Sequence, residues 1–367
     1  MDILNFISWL KSKRQVTTVD ASQTLIPLGL KDARRSDGYL PGAISVDDLL
    51  ALSPGLPSFV QYNDTNKTIW NNGYNGNINN TSYGENALTG NFGSHCTAIG
   101  EYALRMGTGS SNTAVGGYAI SNLITGSNNT ALGAFALAGD VTNDNNTAIG
   151  YSCLASNTAG GYNVGVGNNA LLFNTNGITN TGVGMYALVN NTTGDSNTAV
   201  GYGALYGNTV YGQSVGIGYS ALENNNKGGN TAVGYCALRM NQGWRNIAVG
   251  NSGIDSGFAA ASDNISIGNQ TFQSLTTGEF NIGIGTSVMN SCNTGSNNTV
   301  IGAYSTSLNF SNTVVIGRDA VPTVNNQLVI GSNTYNVGAI ATEALTPTKS
   351  WAVRINGVNY KIPLQIA

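Results

Sequence analysis

The stretch Asn197-Thr198-Ala199-Val200-Gly201-Tyr202-Gly203-Ala204-Leu205 decides how the chain reads. Close copies stand at Asn146-Thr147-Ala148-Ile149-Gly150-Tyr151 and Asn230-Thr231-Ala232-Val233-Gly234-Tyr235, with a shorter one at Asn112-Thr113-Ala114-Val115-Gly116. The Gly that closes the pattern returns sixteen times between Gly84 and Gly331, at steps of 14 to 18 residues. Such a unit is too short for a pair of helices, and each copy sets a branched aliphatic residue between turn formers. A repeat that cannot bury its apolar side alone gains a core by stacking on its neighbours. The pattern therefore predicts an all-β fold, a parallel β-solenoid of about 16 coils. At about 4.8 Å per coil the stack is roughly 70 Å long.

Within each copy the residue before the Gly is a branched aliphatic, from Ile99, Val115 and Leu132 onward to Ile330. We expect these to stack as one inward column. The Leu four residues after the Gly (Leu104, Leu137, Leu188, Leu205) supplies a second column from a return strand. The residue before the aliphatic is nearly always Ala or Gly, as at Ala98, Ala114, Gly165, Gly182 and Ala199. Strand alternation puts it on the other face. A face kept so small predicts that a second backbone approaches it, most simply around a three-fold axis, hence a homotrimer. Gly at the strand end permits a turn with positive φ. The Asn before each Thr is expected to bond turn backbone and to stack into an amide ladder. Strings such as Asn128-Asn129-Thr130 then read as turn chemistry rather than as glycosylation acceptors.

Composition agrees with this. Of 367 residues 49 are Gly, 9% are charged and 41% are hydrophobic, with a formal net charge of −3. Disorder pairs low hydrophobicity with high net charge, which is not the case here. The Gly residues lack the three-residue period of collagen. Without a basic excess, a nucleic-acid partner held through phosphates is not expected. Residues 84–331 hold only 10 of the 18 acids and 5 of the 15 bases, with Asn and Thr as their polar face. Cys96, Cys153, Cys236 and Cys292 are widely spaced, which points to buried thiols rather than a disulfide framework or a zinc site. At the N-terminus Lys11, Lys13 and Arg14 follow the apolar stretch, the reverse of a secretory signal. No apolar run reaches the length of a membrane helix. The expectation is synthesis in a cytoplasm and no membrane insertion.

The Thr-Ala-Val-Gly and Thr-Ala-Ile-Gly strings resemble the head repeat of YadA-type trimeric autotransporter adhesins, a trimeric left-handed parallel β-roll. Copies of 16 to 17 residues carrying Gly-Tyr-x-Ala-Leu, as in Gly201-Tyr202-Gly203-Ala204-Leu205, resemble still more the repeats of bacteriophage tail fibres and other virion fibres. The resemblance covers about residues 84–331. It implies a left-handed homotrimeric roll in a structural protein of a virion, most simply a tail fibre contributing to host attachment. A capsid fibre or decoration protein is the near alternative, and a bacterial surface adhesin a further one. An adhesin of that type would want a secretion signal and a membrane anchor. The ending Trp351–Leu364 is too short for the anchor and reads as a hairpin on Asn356-Gly357.

Four segments follow. Residues 1–60 form an N-terminal virion-attachment segment, in which Asp2 caps a short helix with Ile3, Phe6, Ile7 and Leu10 as its apolar, docking face. Residues 61–83 form a neck, residues 84–333 the roll, and residues 334–367 a C-terminal cap or tip. The expected partners are two further copies of the chain, other virion proteins through the N-terminus, and a host surface glycan or protein.

Chemistry has little to work with, and the chain does not read as an enzyme. His95 is the single histidine and reads as a solvated turn residue. Glycan cleavage would want two carboxylates across one groove. Glu85 and Glu101 occupy equivalent places on successive coils, where surface charge is the simpler account. Neither a phosphate-binding loop nor a calcium-roll motif is present, so no metal or other cofactor is expected. Ice binding is a rival from another class, because Thr recurs in one column (Thr97, Thr113, Thr130, Thr147, Thr313); its neighbour reads as the small Ala/Gly column. Receptor binding falls to aromatics between copies, namely Tyr211, Trp244, Phe258 and Phe280.

Overall fold

The computed structural model describes residues 80–334 except 92, 124, 241, 254–260 and 333. Beyond these it describes the backbone of six strands. Ile26–Leu30 pairs antiparallel with Leu40–Ile44, and Gln61–Asn63 with Thr68–Trp70. Ser350–Ile355 pairs with Val358–Pro363, Ile355 opposite Val358, the register expected of a two-residue turn at 356–357. The docking helix expected at Ile3, Phe6, Ile7 and Leu10 lies outside the described residues.

Residues 80–331 are an all-β parallel solenoid, with no helix among the described residues. Sixteen three-residue strands, from Thr81–Tyr83 to Leu328–Ile330, line up in one sheet, each hydrogen-bonded to the strand one coil away. The register carries the repeat directly: Thr181, Gly182 and Val183 stand against Thr198, Ala199 and Val200. A second, four-stranded parallel sheet spans only the first coils, from Gly90–Asn91 to Asp140–Val141. Elsewhere, among the described residues, the return path is turn, not the expected strand.

The expected facing of the main sheet is reversed. The middle residue of each strand points inward: Ala98, Ala114, Ala131, Ala148, Ala199, Ala232 and Ala248 are fully buried. The aliphatic before the Gly points outward, with Leu132 48%, Ile217 39% and Ile316 41% exposed. A second backbone does approach the small column, as the sequence implied, but it belongs to the same chain. A Cβ placed on Gly182 would lie 3.2 Å from Leu171 Cγ and 3.3 Å from the Ala187 carbonyl oxygen. On Gly216 it would lie 3.1 Å from the Ala221 oxygen. The small column is narrow because the Leu-bearing return turn closes on it, so it carries no inference about a three-fold axis.

The return turn explains how two consecutive residues, such as Ala187 and Leu188, are both buried. Its backbone alternates between right- and left-handed conformations: after Gly184 (φ 127), Tyr186 has φ 61 and Leu188 has φ 52. A left-handed leucine costs about 1–2 kcal/mol. Full burial of the side chain offsets this with about 1.5–3 kcal/mol, and the Leu188 N–H donates to Ala204 O at 3.0 Å. The closing glycines have two reasons to be glycine. Gly150 has φ 133, and a Cβ there would meet the Gly167 carbonyl oxygen.

The expected amide ladder forms and has a companion. Asn112, Asn129, Asn146, Asn163, Asn180 and Asn197 are buried beneath the corner before each strand. Each side-chain oxygen accepts the backbone N–H of the next member, at 2.9 Å from Asn197 to Asn180 and 2.8 Å from Asn129 to Asn112. Thr313, expected in the outer Thr column, instead continues this ladder and donates its hydroxyl to Asn298 Oδ1 at 2.8 Å. A second ladder runs through Asn157, Asn174, Asn191 and Asn208, with Asn191 Nδ2 donating to Asn174 Oδ1 at 2.7 Å. All four cysteines are buried thiols outside any disulfide.

A candidate ligand cleft between aromatic corners

Corners are where a coil can change length without disturbing the sheet, and the aromatic corners cluster. Tyr211 precedes the strand Val215–Ile217 by four residues, Lys227 precedes Thr231–Val233 by four, and Trp244 precedes Ile247–Val249 by three. Successive coils therefore bring them onto one edge. The Tyr211 and Trp244 rings meet edge to face, centroids 5.6 Å apart. The Lys227 ammonium lies 5.3 Å from the Tyr211 centroid and 5.6 Å from that of Trp244. Among the described residues, no carboxylate stands within ion-pair distance of it. These corners border a cleft of about 680 Å³, with Asp195, Gln213 and Arg245 as its charged and amide-bearing side chains.

Both amide ladders fix the backbone of this cleft. Asn197 Nδ2 and Asn208 Nδ2 each donate to Tyr211 O at 2.9 Å. Asn225 Nδ2 and Asn230 Nδ2 hold Lys227 O at 2.6 and 3.1 Å. Trp244 is held through its N–H, which donates to Ser262 Oγ at 3.1 Å. Glycine at 228 keeps the floor open, because a Cβ there would lie 2.8 Å from Gly212 O and 3.4 Å from Trp244 Cζ3. Asp195 Oδ1 accepts the Ile178 N–H at 2.8 Å. Arg245 makes a two-pronged pair with Asp263, Nε to Oδ1 at 2.6 Å and a terminal nitrogen to Oδ2 at 2.8 Å. That hydrogen-bonded carboxylate raises the guanidinium's pKa above its ordinary value.

Of the receptor-binding aromatics expected from sequence, Tyr211 and Trp244 come together. Phe280 stands apart on a later corner and is 56% exposed. Phe258 lies outside the described residues. Sequence reading missed Lys227, Asp195, Gln213 and Arg245. The signal for Lys227 was present, since it occupies the place in its copy that Tyr211 occupies in the preceding one.

The residues weighed for catalysis stay dispersed. His95 is exposed on a left-handed turn with φ 60. Glu85 and Glu101 are exposed on adjacent coils, joined through the Tyr102 N–H, which donates to Glu85 O at 2.8 Å. Among the described residues no three of His, Cys, Asp and Glu gather as a metal-ligand set, and no helix is long and apolar enough to cross a membrane. No protein-family model matches the chain, and no curated protein matches it.

Proposed function

We propose that the chain is the subunit of a virion fibre, most simply a phage tail fibre contributing to host attachment, assembled as a homotrimer of left-handed rolls. One observation carries the reading. The outer face of the sixteen-stranded sheet carries an aliphatic column along its length, including Ile99, Leu132, Val200, Ile217, Ile267 and Ile301, each at least 36% exposed. Beside it run stacked rings, Tyr102 on Tyr118 at 5.0 Å and Tyr202 on Tyr219 at 5.2 Å. An apolar strip of that length is more than a lone soluble chain usually exposes. Burying it between copies answers the problem and makes a stiff rod. The assembly contact therefore falls on the aliphatic face rather than on the Ala/Gly column. A trimer presents each corner site three times, so avidity offsets weak single-site affinity. The virion assignment rests on the repeat resemblance.

Light scattering tests the assembly: three times the 37.9 kDa chain mass is expected, and a monomer would end the reading. Ile217→Glu combined with Val233→Glu is expected to yield soluble, folded monomers. Immunogold labelling of intact particles tests the location. Label along the tail supports the tail fibre, label over the head favours a capsid fibre, and unlabelled particles remove both. A second reading gains from the reversed sheet. The column beside Thr113, Thr130, Thr147 and Thr198 is the outward aliphatic one, so Thr and Val/Ile form two parallel columns on the outer face, half-buried to exposed. A flat face of this kind suits ice, and thermal hysteresis of a monomeric preparation tests it.

A further inference from the structure

We infer that the cleft lined by Tyr211 and Trp244, with Lys227 beside it against both rings, binds an acidic saccharide, a sugar chain bearing a carboxylate. The inference rests on the attachment reading above and names the class of ligand. The groups present match such a sugar one by one. The Trp244 and Tyr211 rings, 41% exposed in the case of Trp244, offer apolar faces to the C–H face of a pyranose. Asp195 has one oxygen engaged by the Ile178 N–H and keeps its other lone pairs for hydroxyl donors. Gln213, exposed at the same edge, supplies both an amide donor and an acceptor. One cation, Arg245, lines the cleft, and a second, Lys227, stands beside it over the Tyr211 and Trp244 rings; the two differ in availability. Arg245 is committed to Asp263 through two hydrogen bonds. Lys227 is half-buried against two rings, with no carboxylate partner among the described residues. A cation removed from part of its water, and neutralised only by ring faces, is completed by an anionic ligand. The setting is rigid, because two amide ladders pin the corners, so little ordering is lost on binding.

The test is an array of oligosaccharides in which each carboxylate-bearing sugar is printed beside its carboxyl-reduced counterpart, probed with the full-length assembled protein. Binding is expected to acidic members in preference to their reduced partners. Trp244→Ala is expected to lower affinity about tenfold or more, and Lys227→Gln to abolish the preference for acid over its reduced form. Both side chains lie at the surface, and an unchanged melting transition and assembly mass confirm folded variants. Absence of binding to any saccharide, equal binding to acidic and reduced partners, or undiminished binding by Trp244→Ala overturns the inference. Those outcomes leave the fibre reading standing if the protein still labels particles; loss of particle label removes the fibre reading while array binding is judged independently.

Discussion

Two stretches of the same solenoid behave differently. From Gly133 to Gly218 every closing glycine is 17 residues from the last; from Gly218 to Gly331 the steps are 16, 16, 18, 17, 17, 15 and 14. The regular stretch carries the second ladder from Asn157 to Asn208 and the first as far as Asn197, with Ser214 in the place of the next Asn. Among the described residues the second ladder runs to Asn208, whose Oδ1 has no hydrogen-bond partner, and in the other stretch Leu275 and Cys292 hold the ladder position, each N–H still donating to the residue three before it, at 3.2 and 3.1 Å. The first ladder persists, with Asn281 donating its backbone N–H to Asn264 Oδ1 at 3.0 Å. The bonds between coils do not change: the Gly201 N–H donates to Val183 O at 2.8 Å and the Gly285 N–H to Ile267 O at 2.8 Å. Backbone pairing and the glycine turn thus define the coil, while the ladder chemistry at its corners is exchangeable. The ligand cleft sits where one regime gives way to the other.

The largest test sets two closing glycines, one from each stretch, against each other. An alanine Cβ at Gly184 would lie 2.5 Å from the Gly201 carbonyl oxygen, whereas at Gly285 the corresponding carbonyl atoms are 3.0 and 3.1 Å away. Gly184→Ala is expected to destabilise by at least about 3 kcal/mol. Gly285→Ala should be clearly milder and Gly117→Ala, which faces open space, near neutral. Equal losses of denaturation midpoint at 184 and 285 would erase the distinction. Next come the cores. Leu188→Ala is expected to cost about 2–5 kcal/mol. In the irregular stretch Phe272 replaces the repeat's Leu and sits over Gly283, where a Cβ would lie 2.6 Å from Phe272 Cε1. Gly283→Ala alone should therefore be harmful, and the added Phe272→Leu should restore stability. Additive losses in urea unfolding would show that the two sites are not coupled.

A smaller effect concerns the polar ladder. Asn180→Ala leaves the Asn197 N–H and the Gly194 carbonyl, both buried partners of its amide, without it. About 2–3 kcal/mol should be lost. Ser214 interrupts this ladder with a 3.4 Å bond from the Asn230 N–H, so Ser214→Asn should raise stability by up to about 1 kcal/mol, read as a higher denaturation midpoint. The last effect is confined to alkaline pH. Burial pushes the Cys153 thiol from 9.0 up to about 12. Its folded-state pKa is raised, so its contribution is complete below pH 9 and disappears as pH climbs toward about 12. The slope is about 1.4 kcal/mol per pH unit. Cys153→Ala restores the repeat's usual residue and should remove that part of the alkaline loss in pH-dependent denaturation.

Much of the coil was legible because its causes are local in sequence. The closing glycine, the buried Leu and the Asn ladder each require one residue type at one place, and the period of the repeat makes them coincide. The inward face was misread because three-residue strands alternate in both senses, and hydrophobicity alone favours Val200 over Ala199 for the interior. What decides the matter is the return turn, whose left-handed Tyr186 and Leu188 fold the chain back so closely that only Ala or Gly fits opposite. Nothing in the pattern of those residues announces that backbone. The cleft was half legible: Tyr211 and Trp244 stood out as aromatics, but Lys227 is conspicuous only after the coils are stacked.

Because each coil bonds only to the one before and the one after, the rod is a ruler graduated in whole coils. Removing residues 151–167 would join Gly150 to Asn168, the residue that already follows a closing glycine, and return the same hydrogen-bond register one graduation shorter. Reach can thus be set by copying or deleting units, while the marked edge at Tyr211 keeps its place among its neighbours.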